Sequence, residues 1–265
     1  YSILGTGLVI ALVLLIYYLQ GALTTLEMRL WLYGVVAVEL GITLFIATTT
    51  AATSMTREKE SNTLELVLAT PITSARIIQG KIWGLVHAAG PMLLVPWVTI
   101  GLFILFDLLT GRAFKPGGGV VHWEALITLP ILLVCFTAVA CMVGLQASIK
   151  SKKTISAVFT SMGIVAAVFA ATAGCAFTMK NGVNNASFNA AFMPLTPFTA
   201  VYVVIDPAAA VSSTNVLTSG TDVDTCRVIA FFASFCSALV YGLIGYALHR
   251  SMVRSFDMII RKQTA

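Results

Sequence analysis

This sequence predicts an all-α, polytopic membrane protein with six transmembrane helices, and three observations lead there. Of its 265 residues, 58% are hydrophobic and only 10% are charged, against roughly 25% charged in a soluble domain; mean hydropathy is +0.93. Apolar windows of about 20 residues, the length a helix needs to cross a hydrocarbon core about 30 Å thick, recur along the chain. Those windows lack the period-two alternation of barrel strands, so helices, which satisfy their own backbone hydrogen bonds, are the reading that lipid permits. Almost nothing is left over for a soluble domain, and residues 1–265 read as one transmembrane domain.

The spans are expected at about 3–19, 32–53, 82–106, 125–149, 154–177 and 228–248,. The chain opens on Tyr1 with no basic segment ahead of the first span, so a cleaved signal peptide is a poor reading and a preceding native segment is expected,. Residues 20–31 and 107–124 read as short external turns, the second broken by the run Lys115 to Gly119 (KPGGG), and 150–153 (KSKK) reads as a tight cytoplasmic turn. The long segment 178–227 carries FMPLTPFTAVYVVIDPAAAV, punctuated by Pro194, Pro197 and Pro207. Apolar stretches that short between breakers favour re-entrant or interfacial helices before the sixth span, or an ordinary external cap.

Orientation follows from Lys and Arg. With residues 54–81 on the cytoplasmic side, that face receives Arg57, Lys59, Arg76, Lys81, Lys150, Lys152, Lys153, Arg250, Arg254, Arg261 and Lys262, whereas the other receives Arg29, Arg112, Lys115, Lys180 and Arg227. The bias predicts an even number of spans and a cytoplasmic C-terminus. The net charge of +5 is thereby accounted for as topology, and no basic soluble face exists for nucleic acid,.

Residues 57–81, REKESNTLELVLATPITSARIIQGK, form a charged, helix-capable island between the second and third spans. Thr56 is a candidate N-cap, Glu58 and Glu60 then occupy the first turn, where the macrodipole favours anions, and Pro71 ends the helix. Leu64, Val67 and Leu68 share one face. A second helix is expected to start near Thr73 or Ser74 and run through Arg76 and Lys81 into the third span. A surface anchor is usually Lys/Arg-rich on its polar face; the acidic excess of Glu58, Glu60 and Glu65 over Arg57 and Lys59 suits a protein partner better than lipid.

The order REKE at 57–60, NTLE at 62–65, Thr70-Pro71 and Gly80-Lys81 resembles the cytoplasmic signature of ATP-binding cassette (ABC) type-2 permeases. One departure is Asn62, where that family usually has Gly; both tolerate a left-handed backbone. The resemblance implies a permease whose coupling helix docks on a separate cytoplasmic ABC ATPase, with ATP and Mg bound by that partner and no cofactor in this chain. Carried onto these positions, the coupling residues are Arg57, Glu58, Lys59, Glu60, Thr63, Leu64 and Glu65, with Thr70 and Pro71 setting the bend. It further implies export by alternating access, a second permease subunit forming a homo- or heterodimer, and a prokaryotic plasma (inner) membrane with lipid around the spans. Against that setting the sequon Asn185-Ala186-Ser187 is discounted.

Within the spans, Glu39 is expected to face the bundle interior or a wet cavity, because a charge in lipid costs about 2.5–3.5 kcal/mol. It is either structural or part of a substrate path, and His87 either packs by hydrogen bonding or lines the same path. Pro91 and Pro96 interrupt the third span and are hinge candidates. The pairs Gly5/Gly7, Gly80/Gly84, Gly144/Ser148 and Gly242/Gly245 are candidates for close helix approach. Cys135, Cys141 and Cys236 lie in spans without metal-ligand spacing, whereas Cys175 and Cys226 fall near external span ends, where a disulfide is an option.

Two other function classes stay open on sequence. An intramembrane enzyme needs a nucleophile and base or a metal cluster; there is no HExxH or Gly-x-Ser-x-Gly, and His87, His122 and His249 sit on different segments,. No GxxxxGK[ST] phosphate loop is present either,. A sensor or scaffold that binds an ATPase without moving a solute fits the same signature.

Overall fold

The structure, a computed structural model, describes residues 2–61, 73–112, 119–151, 153–182, 193–211 and 223–263. Its elements are α1 (Ser2–Leu19), α2 (Thr25–Glu60), α3 (Ser74–Leu109), α4 (Ala125–Lys150), α5 (Thr154–Gly182), a 3-10 turn (Met193–Leu195), α6 (Pro197–Ile205), α7 (Pro207–Val211) and α8 (Val223–Gln263). The described residues contain no strand.

The helices outlast the apolar windows. α2 and α3 have 36 residues each, about 54 Å at 1.5 Å per residue, well beyond the hydrocarbon thickness. At its start, α2 begins seven residues before the predicted span, because Thr24 and Glu27 form a capping box. The Thr24 N–H donates to Glu27 Oε2 at 2.9 Å, and the Glu27 N–H approaches Thr24 Oγ1 at 3.4 Å,.

Among the described residues, five helices are long and apolar enough to cross a bilayer: Thr25–Glu60, Ala75–Leu109, Ala125–Lys150, Thr154–Ala176 and Arg227–Arg254. The shorter apolar helix Gly5–Leu19, within α1, lies at the first predicted span, 3–19, which among the described residues does not reach the length of the others.

At its other end, α2 corrects the sequence reading. Thr56 was expected to cap a new helix; instead α2 runs through it unbroken to Glu60. Thr56 Oγ1 donates back to the Ala52 carbonyl at 3.1 Å, as a mid-helix threonine does,. Glu58 and Glu60 therefore sit in a last turn rather than a first one, beside Arg57 and Lys59, which suit that end of the dipole,. The change from apolar to charged residues marks where lipid stops, and no breaker ends the helix there. The second expected helix start, at Thr73 or Ser74, agrees with α3, which runs continuously from Ser74.

The chain divides into two compact units, each drawing on segments far apart in sequence. The first comprises Tyr1–Ile42, Met92–Val134 and Phe169–Ala238. Its core includes Met28, Leu32, Val36 and Leu40, spaced four apart on one face of α2, with Ile100 and Phe103 of α3 and Leu129, Leu132 and Leu133 of α4,. Two N-cap-plus-proline starts shape the segment at 193–211. Thr196 Oγ1 accepts the Thr199 N–H at 3.0 Å ahead of Pro197, and Asp206 Oδ1 accepts the Ala209 N–H at 3.1 Å ahead of Pro207,.

The second unit comprises Thr43–Pro91, Cys135–Val168 and Leu239–Ala265. Met55, Ile78, Leu145, Ile149, Met252 and Phe256 are its buried cluster. Gly144 makes the close approach here: a Cβ at that position would lie 2.7 Å from the Thr48 carbonyl oxygen and 2.9 Å from Ala51 Cβ.

Candidate functional site

The last turn of α2 carries the run Arg57-Glu58-Lys59-Glu60, and three of its four charges are engaged within the second unit. Lys59 Nζ donates to carbonyls at the C-terminus of α4: Ser148 at 3.0 Å, Ile149, and Ser151 at 3.3 Å. The last carbonyls of a helix have no following turn to accept from, and a cation there complements the macrodipole. Glu60 serves the other side of the same turn. Its Oε1 accepts the N–H of Thr154, the first residue of α5, at 2.7 Å, where a helix N-terminus favours an anion,. Adjacent residues of opposite charge thus clasp the 150–153 turn from both ends.

Glu58 pairs with Lys81 Nζ of α3, joining the two helices that flank residues 62–72. Ser148 ties the arrangement to the core, its Oγ accepting the N–H groups of Met55 at 3.1 Å and Thr56 at 3.0 Å. Arg57 is exposed, as are Arg76, Lys150 and Lys153. Thr63, Leu64, Glu65, Thr70 and Pro71 lie outside the described residues.

The other sequence candidates are dispersed. Glu39 is buried in the first unit, accepting a hydrogen bond from Thr99 Oγ1 at 3.1 Å. A Cβ on Gly7 would lie 2.7 Å from Glu39 Oε1 and 2.8 Å from Val95 Cγ1, so glycine is what lets α1 approach that carboxylate. Gly5, Gly80, Gly84 and Gly242 meet nothing within 4 Å, so within this chain they bring no neighbouring helix close. His87 is exposed on α3. Pro91 and Pro96 both lie inside the unbroken α3, and Pro91 is the last residue of its segment of the second unit. Cys175 is an exposed free thiol, and the Cys226 side chain lies outside the described ones.

The first unit holds a charged network that the sequence reading passed over. Arg29 Nε and Nη2 donate to the carbonyls of Val120 at 3.0 Å and Gly119 at 2.9 Å, while Nη1 lies 3.3 Å from Asp206 Oδ2. Asp107 Oδ2 accepts the Val120 N–H at 2.6 Å. Arg227 pairs with Glu124, and His122 sits nearby. Burial pushes the His122 imidazole below its ordinary pKa of 6.5, and the Arg227 charge adds to the shift,. Burial likewise raises Tyr202, whose ring meets Tyr33 edge-on at 5.5 Å. The available signal was the rarity of charge: in so apolar a chain, each Asp, Glu or Arg near a span end is a candidate for pairing. Among the described residues, no group of three or more His, Cys, Asp or Glu is placed to hold a metal ion.

Residues 9–252 match the family model described as ABC-2 family transporter protein. The chain belongs to the ABC-2 transporter family. No curated protein matches this ABC-2 permease significantly. Family membership covers both units and the clasped end of α2, and it identifies the chain as a multi-pass membrane component of a transporter. In this permease the run that carried the resemblance is therefore also a structural clasp: Glu58, Lys59 and Glu60 hold neighbouring helices, and Arg57 and Glu60 are exposed.

Proposed function

We propose that the protein is the permease subunit of an ATP-driven exporter, moving its substrate by alternating access while a separate cytoplasmic ABC ATPase binds ATP and Mg. In this reading the island 57–81 faces the cytoplasm and the C-terminus lies on the same side. α1 supplies a sixth crossing, the short helices at 193–211 dip into the outer leaflet, and a second permease subunit completes the path in a prokaryotic plasma membrane.

The observation that carries the reading is the mechanical continuity of the α2 end. A push delivered to residues 57–60 reaches α3 through Glu58 and Lys81 and reaches the α4–α5 turn through Lys59 and Glu60. A surface patch without such ties would yield locally and transmit little. Arg57, exposed at that end, is the member free to meet an acidic partner surface, and residues 62–72 supply the remainder of the docking face.

The test is ATPase stimulation in proteoliposomes holding the permease and its co-purified ATPase. Arg57→Glu is expected to bring hydrolysis down to the rate of the ATPase alone with an unchanged unfolding midpoint. Full stimulation in Arg57→Glu and in Glu65→Lys together would refute coupling through this island.

A further inference from the structure

The 119–124 segment, the first turn of α4, the α6–α7 junction and the start of α8 enclose an open cleft with about 300 Å³ of empty volume. That figure includes space open to solvent, so the cleft is shallow and has room for a small group only. Its lining is partly apolar, from Val203, Val204, Ala230 and Phe231, and partly polar, from His122, Glu124, Thr128, Arg227 and Ser234.

Apart from the Arg227 guanidinium, the polar lining has a bias toward acceptors. Glu124 gives one carboxylate oxygen to Arg227, while its second, Oε2, is buried with no hydrogen-bond partner. Thr128 Oγ1 already spends its proton on the Glu124 carbonyl at 3.1 Å, and Ser234 Oγ spends its own on the Ala230 carbonyl at 2.8 Å. Each hydroxyl therefore presents lone pairs only. The half-buried imidazole of His122, whose pKa burial lowers, offers one ring nitrogen as a further acceptor in its neutral form,. A buried carboxylate oxygen without a donor costs stability that a bound donor would return.

We propose that this cleft binds a primary ammonium group, its N–H donors taken by Glu124 Oε2 and the Thr128 and Ser234 hydroxyls, with a short apolar stem against Val203, Val204 and Phe231. Three N–H groups on one cation match three acceptors that line one cleft, and the Phe231 ring suits a neighbouring positive charge,. A quaternary ammonium has no proton to give, and a neutral alcohol lacks the charge. The same chemistry is offered by a free alkylamine and by an aminophospholipid headgroup. The proposal concerns binding alone and does not rest on the ATPase-coupled reading.

The experiment uses the whole chain in phosphatidylcholine nanodiscs and measures its unfolding midpoint with n-butylammonium, n-butanol or butyltrimethylammonium. A saturable rise with n-butylammonium only, lost in Glu124→Gln and reduced in Thr128→Val and Ser234→Ala, supports the site. The two hydroxyl variants keep the Glu124–Arg227 pair, so their response separates lost binding from lost folding. Replacing the lipid by phosphatidylethanolamine distinguishes the sources: suppression of the n-butylammonium effect identifies the headgroup as occupant, and persistence identifies a free amine. Absence of any rise with n-butylammonium together with equal midpoints in the two lipids overturns the proposal, as does an equal rise with butyltrimethylammonium.

Discussion

Lys59 shows how much one side chain can do where helices end. Its ammonium satisfies carbonyls at and just past the C-terminal end of α4, where no following helical turn donates to them,. Lys59→Met, which keeps the stem and removes the donors, is expected to lower stability by about 1.5–3 kcal/mol, the range for hydrogen bonds to a charged group. Its unfolding midpoint in detergent, beside that of the parent, checks this. His122 gives a pH dependence. Its folded pKa lies below 6.5, so on acidification the unfolded chain takes up the proton first and stability falls as pH drops below about 6.5,. His122→Gln is expected to flatten the unfolding midpoint between pH 7.5 and 5.5, and an unchanged slope would remove the residue from the account. The types of these residues were legible in the sequence and their partners were not. Lys59 meets carbonyls about ninety positions away, a pairing that only the packing of α2 on α4 creates.

At the scale of elements, helix identity followed from apolar length, and helix ends did not. Hydropathy reports where lipid stops, whereas a helix stops where its backbone loses partners or meets a breaker; α2 runs past the apolar window at both ends for that reason. Its start was readable from Thr24 and Glu27, a capping-box spacing in plain view,. Its far end was misplaced because Thr56 is as suitable for an N-cap as for a mid-helix back-bond, and local sequence does not choose between them. The α2–α4 contact rests on Gly144. Gly144→Val is expected to cost about 2 kcal/mol or more, since the added carbons meet backbone at Thr48 rather than a side chain that can turn away,. A midpoint equal to the parent's would show that α2 and α4 do not pack this tightly. For Arg29, which joins the 119–120 carbonyls to Asp206, replacement by Lys is expected to destabilise nearly as much as replacement by Met. A point charge cannot reproduce the planar fork, and full rescue by Lys would contradict that geometry.

Across the whole molecule, composition settled the class and a 25-residue run carried the family, because both depend on features that need no tertiary contact. The clasp, the Arg29 network and the acceptor-lined cleft depend on segments that sequence separates, and apolar periodicity is silent about them. The central claim is that the end of α2 is where an ATPase drives this permease. The measurement that tests it most directly is an affinity pull-down of the tagged full-length protein from its native cell, with co-purifying chains identified by mass spectrometry. The account predicts a stoichiometric ATPase bearing a phosphate loop, retained by a Glu39→Gln control and lost in Arg57→Glu while the permease itself stays folded. Recovery of other intact membrane complexes with no such ATPase, or its undiminished recovery with Arg57→Glu, would contradict it.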